Sequence, residues 1–273
     1  MFEQKRVRSS GGAALGMLEV IYHSIVRNVT KTHSNAFVAL IMAMVQAFLF
    51  VGAFYFMFTI LGLRGVAIRG DFLIYIMSGI FLFLTHTKTM GAVVASEGPA
   101  SAMMKHAPMN TIIAISGAAL AQLYIQILSM FVIFWIYNVA VEPVAFDKPL
   151  AAFGCLLLAW FTGAAVGVVF LAAKPWAPSF VTVASALYSR ANMIASGKMF
   201  VANSLPPSML AMFDWNPLFH AIDQSRGFAF INYAPRNSNL EYPLIVGLVL
   251  IMLGLMGEFY TRKHASESWS ARA

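Results

Sequence analysis

The sequence predicts an all-α integral membrane protein with six transmembrane helices, an N-terminal amphipathic interface helix and a re-entrant hairpin between spans five and six. Of its 273 residues, 60% are hydrophobic and only 11% are charged, whereas soluble domains average about 45–50% and 25%. Long uncharged runs supply the roughly 20 apolar residues that a membrane helix needs. Two proline breaks behind the fifth run predict the hairpin.

Residues 1–34 are predicted to form a cytoplasmic N-terminus that contains the amphipathic helix. Between Ala14 and His33, apolar residues recur at helical spacing and polar, mostly basic residues occupy the other side. A basic polar face favours the headgroup layer over the hydrocarbon core. A solvent-exposed helix packed on a partner is the alternative. The apolar positions are Leu15, Leu18, Tyr22, Ile25 and Val29, and the polar ones are Glu19, His23, Arg27 and Lys31.

Residues 35–261 are predicted to form the six-span domain, whose first three spans follow from long apolar runs. The first lies between Lys31 and Arg64, and the second runs from about Phe72 to Val94. Lys88 lies well inside the second span, where a lysine usually faces a bundle interior or water, although it can also snorkel to the interface. The third span follows Asn110.

The last three spans are predicted at Leu150–Ala173, from about Ser179 onwards, and at Tyr242–Tyr260. The fourth contains a Gly-x-x-x-Gly pattern, Gly163 and Gly167, which permits close helix approach and indicates local packing more often than a dimer seam. The fifth carries Arg190 at mid-depth. Residues 262–273 are predicted to form a polar cytoplasmic tail.

Six spans place both termini on one side of the membrane. The positive-inside rule assigns that side to the cytoplasm, because more basic residues then lie inside than outside. The inner ones are Lys5, Arg6, Arg8, Arg27, Lys31, Lys105, Lys174, Arg262, Lys263 and Arg272, and the outer ones are Arg64, Arg69, Lys148, Lys198, Arg226 and Arg236.

A polar insert from Ser96 to Pro108 separates the second and third spans. It is long enough for two helical turns and places adjacent methionines on a charged element, which is unusual for a solvated loop. We therefore expect a docking helix. Its candidate contact residues are Glu97, Ser101, Met103, Met104, Lys105 and His106.

The stretch from Asn192 to Phe230 is broken by Pro206-Pro207 and again by Asn216-Pro217. Non-helical backbone at membrane depth is tolerated only where protein or a water-filled cavity satisfies its polar groups. The stretch therefore predicts a re-entrant hairpin at the mouth of a pathway, with an ordinary proline-containing loop as the alternative. His220, Asp223 and Arg226 recur every three residues in its last part.

The same stretch resembles the region around the fifth span of ABC-2 type permeases. The resemblance is carried by Ser196-Gly197, Leu205-Pro206 and Asn216-Pro217-Leu218-Phe219-His220-Ala221-Ile222-Asp223-Gln224-Ser225-Arg226. Within that family the chain is most similar to permeases that export capsular polysaccharide or O-antigen. One departure is Asn35 to Leu40, where the family usually carries a Gly, a Trp and a Pro.

The resemblance implies a homodimer in the bacterial inner membrane that associates with two ATPase subunits and with periplasmic export components. The polar insert would then be the coupling helix, and the substrate would be a lipid-linked polysaccharide. Aromatic and intramembrane cationic residues suit sugar rings and acidic groups. The candidate path residues are Phe54, Tyr55, Lys88, Tyr188, Arg190 and Lys198.

Signatures of catalytic chemistry are missing from the sequence. Gly197-Lys198 is not a phosphate loop, because no Gly lies five residues before Gly197 and Met199 replaces the Ser or Thr. We expect no cofactor on this chain, with ATP and Mg²⁺ bound by the partner ATPase, and no metal site. Cys155 is the single cysteine and excludes an intrachain disulfide. Two alternatives remain: an ABC-2 exporter of drugs or lipids, and an intramembrane acyl- or glycosyltransferase that uses His220 and Asp223.

Overall fold

The computed structural model describes residues 10–30, 35–62, 68, 70–98 and 110–264. Every regular element in these ranges is helical. The described part of the chain contains nine α-helices: α1 (Ser10–Thr30), α2 (Ala36–Ile60), α3 (Phe72–Val94), α4 (Thr111–Ala140), α5 (Pro149–Ala173), α6 (Pro178–Ala195), α7 (Pro207–Phe213), α8 (Pro217–Ala229) and α9 (Glu241–His264). A short 3₁₀ turn, Ala202–Ser204, lies between α6 and α7.

Five of these helices, α2, α3, α4, α5 and α9, are long and apolar enough to cross a membrane. This confirms an all-α membrane protein, and these helices begin and end near the bounds predicted for spans one to four and six. Helix α6, where the fifth span is predicted, does not meet the same criterion. It has 18 residues, which corresponds to about 27 Å at 1.5 Å per residue.

Several helices begin where the sequence supplies a cap. The side chains of Asn35, Asp71, Asn110 and Asn216 each accept a hydrogen bond from the backbone N–H two residues later. Such caps satisfy a donor that the helix itself leaves free. Helices α5, α6, α7 and α8 have a proline in their first turn, where the missing N–H costs nothing.

Helix α3 is the centre of the bundle and packs against α2, α4, α5 and α8. Its contact with α5 is close because glycines leave room for the backbone. A Cβ on Gly163 would lie 2.4 Å from the His86 carbonyl oxygen, and a Cβ on Gly167 would lie 2.8 Å from the Val93 Cβ. The Gly-x-x-x-Gly pattern therefore serves local packing of α5 on α3.

Hydrogen bonds between helices identify the two ends of the bundle. At the near end, Trp176 Nε1 donates to Thr261 Oγ1 at 2.8 Å, and Lys174 Nζ donates to the Val94 carbonyl at 3.0 Å. These bonds join the ends of α3 and α9 to the turn that follows α5. At the far end, the Lys148 N–H before α5 donates to the Phe228 carbonyl of α8 at 2.8 Å. Helix α6 leaves the near end, and α7 and α8 follow it.

Helix α1 packs on α4, where a Cβ on Gly117 would overlap the Ser24 side chain. Ser24 and Val29 are buried, whereas Leu18 and Tyr22 of the predicted apolar stripe are exposed. An apolar stripe that the chain leaves uncovered is compatible with an interface helix. Several sequence-predicted residues lie outside the described ranges, namely Arg64, Arg69, Ser101, Met103, Met104, Lys105 and His106.

We predict that Gly163→Ala destabilises the protein, because its Cβ has no room against the α3 backbone. Overpacking of this kind typically costs about 1–3 kcal/mol. Gly154→Ala on the same helix is the matched control, since a Cβ there meets nothing within 4 Å. Thermal unfolding in detergent should show a lower midpoint for Gly163→Ala only. Equal midpoints for the two variants would contradict the close α3–α5 contact.

Candidate functional site

The candidate site is the polar cluster at the far end of the bundle, where α8 packs against the turn that follows α6. Its centre is Arg226, whose side chain is 1% exposed. Arg226 Nη1 donates to the carbonyls of Gly197 at 2.8 Å and Phe200 at 2.6 Å. Nη2 donates to the Lys198 carbonyl at 2.7 Å. One guanidinium thus satisfies three carbonyls of a non-helical turn.

The guanidinium also lies over the Tyr75 ring of α3, with its central carbon 4.2 Å from the ring centroid. A cation–π contact is stronger where water is excluded. The turn approaches α3 closely at Gly79, because a Cβ there would lie 2.9 Å from the Lys198 Cβ. Gly197 has a φ of +76°, a conformation that favours glycine. Arg226 therefore ties α8, the turn and α3 together.

Lys198 occupies an aromatic cage formed by Phe50 and Phe54 of α2 and Phe83 of α3. Its Nζ lies 3.4 Å from the Phe83 ring centroid, 4.9 Å from that of Phe54 and 5.6 Å from that of Phe50. The side chain is buried, and within the described part of the chain Nζ makes no hydrogen bond. The three rings hold this cation in place by their faces.

Asn216 connects α8 to the end of α6. Its Oδ1 caps α8 at the Leu218 N–H, and its Nδ2 donates to Asn192 Oδ1 and to the Ala195 carbonyl, both at 2.9 Å. All the hydrogen-bonding positions of the Asn216 amide group face protein rather than solvent. The Asn-Pro motif thus begins α8 and fixes it to α6 with a single side chain.

Both ring nitrogens of His220 form hydrogen bonds with backbone groups. The Asn239 N–H donates to Nδ1 at 3.1 Å, so Nδ1 accepts, and Nε2 donates to the Asp214 carbonyl at 2.6 Å. Its ring also packs at 4.7 Å from the Tyr242 ring. A general base needs a free nitrogen directed at its substrate. This geometry assigns His220 to holding the loop before α9.

Asp223 is buried and binds the same loop. Tyr233 Oη donates to Asp223 Oδ1, and Ser238 Oγ donates to Oδ2 at 2.6 Å. Burial, followed by the nearby Asp223 carboxylate, raises the pKa of Tyr233, so its hydroxyl remains a donor. Asp223 therefore does not orient His220, and the pair that the transferase alternative requires is not formed.

A second polar contact, inside the bundle, joins α3, α5 and α6 through His86. His86 Nδ1 lies 3.2 Å from the Ala159 carbonyl, which only accepts, so this nitrogen carries the proton. Nε2 then accepts from Tyr188 Oη at 2.9 Å. Sequence reasoning missed His86, although the polar run Thr85 to Lys88 within a predicted span was a signal for it.

The predicted path residues fall into two places rather than one. Phe54 and Lys198 come together in the aromatic cage, and Tyr55 packs against Phe72 nearby. Tyr188 contacts His86, and Lys88 is half-buried two residues further along α3. Arg190 lies on the exposed side of α6. Their role in a pathway stays a prediction.

The hairpin prolines begin helices rather than interrupt them. Pro206 precedes α7, Pro207 is its first residue, and Pro217 is the first residue of α8. Of the predicted docking residues, Glu97 lies within the described ranges. Its carboxylate lies 3.7 Å from Arg27 Nη2 of α1, so it connects the end of α3 to the amphipathic helix.

Within the described ranges, no three His, Cys, Asp or Glu side chains are grouped so that they could hold a metal ion. The cluster around Arg226 is instead built from hydrogen bonds to carbonyls, one carboxylate and aromatic faces. Such an arrangement positions backbone, and its two cations, Arg226 and Lys198, are both enclosed by the protein.

Comparison with curated proteins shows two relatives, both described as polysialic acid transport protein KpsM from Escherichia coli. They are 24% and 23% identical to this chain over 202 residues, covering 71% of the chain and 75% of each relative. No family model matches the chain. The two relatives confirm the resemblance to capsule-exporting ABC-2 permeases.

We predict that Arg226→Lys destabilises the protein more than Arg236→Lys on the exposed loop. An ammonium cannot reproduce the three bonds of the planar guanidinium, and each buried carbonyl left unsatisfied costs on the order of 1–3 kcal/mol. Folded yield and the midpoint of thermal unfolding in detergent measure the difference. An unchanged midpoint for Arg226→Lys would show that the turn is held by other contacts.

Proposed function

We propose that this chain is the permease subunit of an ABC exporter that moves a capsular, lipid-linked polysaccharide out across the bacterial inner membrane. The observation that carries the proposal is the similarity to two polysialic acid transport proteins over 202 residues. The five long apolar helices supply the membrane-spanning body that such a protein requires.

We include α6 as a sixth crossing, although its composition is less apolar. Trp176, just before α6, bonds to Thr261 near the end of α9, whereas Asn192, near the end of α6, bonds to Asn216 at the start of α8. The start of α9 lies beside the start of α8, because Tyr242 Oη donates to the Trp215 carbonyl. These contacts support α6 as the segment that carries the chain from one end of the bundle to the other.

Six crossings also place the basic residues of both termini, such as Arg8 and Arg262, on one side. The positive-inside rule then favours cytoplasmic termini. With five crossings, one of these basic ends would have to lie outside. The near end of the bundle is the cytoplasmic end in this arrangement, and the far end with α7 and α8 is the outer end.

We further propose that α7, α8 and the turn before them form the re-entrant hairpin. The ring of Phe83, which contacts Lys198, belongs to a residue eleven positions after the start of α3. At 1.5 Å per residue this is about 16 Å along the helix, or roughly half of a hydrocarbon core about 30 Å thick. At this depth the backbone carbonyls of the turn need hydrogen-bond donors from the protein, and Arg226 supplies them.

The exposed face of α6 supports a homodimer with the substrate path beside it. Val183, Leu187 and Ile194 are each more than 60% exposed, and Arg190 follows the same helical spacing. An arginine in the middle of an apolar stripe is costly in lipid. A second copy and a water-containing path at this face would remove that cost, with Lys88 and Tyr188 on the inner side of the same region.

The energy would come from a separate ATPase that binds ATP and Mg²⁺. The sequence has no Walker A motif. In this proposal, motion driven by nucleotide on the ATPase reaches the spans through the segment at Glu97 to His106. Arg27 and Glu97 join that segment to α1, which gives the motion a second route into the bundle. Periplasmic components would receive the polymer at the outer end.

Deletion of this gene from its host tests the function directly. We expect surface polysaccharide to disappear and polymer to accumulate inside the cell, because synthesis continues without export. Restoring the gene should return surface polymer, and the purified chain alone should hydrolyse no ATP. Unchanged surface polysaccharide with altered drug resistance would instead favour a drug exporter. Glycosyl or acyl transfer catalysed by the isolated chain would favour an enzyme.

We predict that Arg190→Ala reduces export while the protein remains inserted and bound to its ATPase. In a Cys155→Ala background, a cysteine replacing Arg190 should react with a water-soluble thiol reagent, because it lines a hydrated path. Val249 on the exposed face of α9 is the control, since a cysteine replacing it should face lipid and stay inert. Normal export by Arg190→Ala and no labelling at this position would exclude this face as the path.

A further inference from the structure

A cavity of about 490 Å³ lies between α3, α4 and α5, and Ser225 of α8 also contributes to its lining. Helices α4 and α5 both pack on α3 but barely touch each other. The cavity occupies the gap between them. Its walls are mainly phenyl rings, contributed by Phe81, Phe131, Phe134, Phe146 and Phe153.

Water is a poor occupant for this space. An ordered water needs about two to four polar partners, and the polar side chains in the lining are those of Ser78 and Ser225. Ser78 already donates its hydroxyl to the Tyr75 carbonyl at 2.8 Å. The space opens to the surroundings of the helices, because Phe131 and Leu150 of its lining are exposed. Its many aromatic carbons favour an apolar occupant.

The shape of the cavity follows the direction of a lipid chain. Its lining on α5 extends from Pro149 at the helix start to Leu156, which is about 10 Å along the helix axis. The cavity therefore begins at the far end of the bundle and runs into the apolar region parallel to the helices. Acyl chains of a bilayer run in the same direction and surround these helices.

Two residues of opposite charge, Asp147 and Lys148, lie in the chain between Phe146 and Pro149 of the lining, and both are exposed. A carboxylate and an ammonium side by side suit a zwitterionic headgroup, whose phosphate pairs with the lysine and whose amine pairs with the aspartate. This pair of charges makes an intact phospholipid a better occupant than a free fatty acid.

We propose that the α3–α4–α5 cavity is a binding site for one acyl chain of a phosphatidylethanolamine molecule whose headgroup lies at Asp147 and Lys148. The bound chain fills the gap between α4 and α5 and holds the two helices at their observed separation. The site does not depend on the transport activity, because a bilayer supplies its ligand directly.

Photocrosslinking in lipid nanodiscs tests the proposal. The probe is phosphatidylethanolamine with a diazirine in one acyl chain, and mass spectrometry identifies the labelled peptides. We expect labelling concentrated on the segments with Phe131, Phe134 and Phe153. Ala152→Trp, which places an indole in the cavity, should reduce labelling of these segments to the level of exposed helix faces.

Gly154→Trp is the matched control, because position 154 lies on the same helix and faces open space. It should keep the labelling of the original protein, and thermal unfolding should verify that both variants are folded. Equal labelling in the two variants, or labelling spread evenly over α2 and α9, would overturn the proposal. Labelling by a photoreactive lipid-linked saccharide but not by phosphatidylethanolamine would also overturn it and assign the cavity to the substrate.

Discussion

The guanidinium of Arg226 supplies the hydrogen bonds on which the far end of this bundle depends. In the hydrocarbon region of a membrane there is no water, so a backbone carbonyl there needs a hydrogen-bond donor from the protein. The turn after α6 exposes three such carbonyls, and Arg226 satisfies all of them while stacking on Tyr75. The position of this turn determines where Lys198 enters the bundle and how the chain continues to α8.

Other polar side chains in and just before α8 also form hydrogen bonds with the irregular backbone around it. Asn216 satisfies the end of α6, His220 binds the loops on either side, and Asp223 holds the loop before α9. Each side chain is therefore engaged in positioning the chain. Residue types that suggest catalysis in a soluble enzyme serve here as hydrogen-bond partners of non-helical backbone and of the loop before α9.

This firmly held far end contrasts with the sparse contacts of α6. Helix α6 is joined to the bundle by a few polar contacts, among them those of Tyr188 with His86 and Asn192 with Asn216. Most of its surface lies open. A helix attached in this way suits an element that a second copy completes and that moves when a partner drives it. Under the proposed function, this open face of α6 is where a second copy and the substrate path lie.

Hydropathy by itself determined the long apolar helices of this protein. The second span was predicted at the bounds that α3 has, and the third was predicted to follow Asn110, because an apolar run is a property of residues close in sequence. Asn216-Pro217 was predicted as a break, whereas it begins α8. The tertiary structure alone decided what the polar residues do. His86 meets Tyr188 from 102 residues away, Arg226 binds a turn 28 residues earlier, and Lys198 enters a cage of rings from two other helices. No local pattern specifies such partners, because they are chosen by how the helices pack.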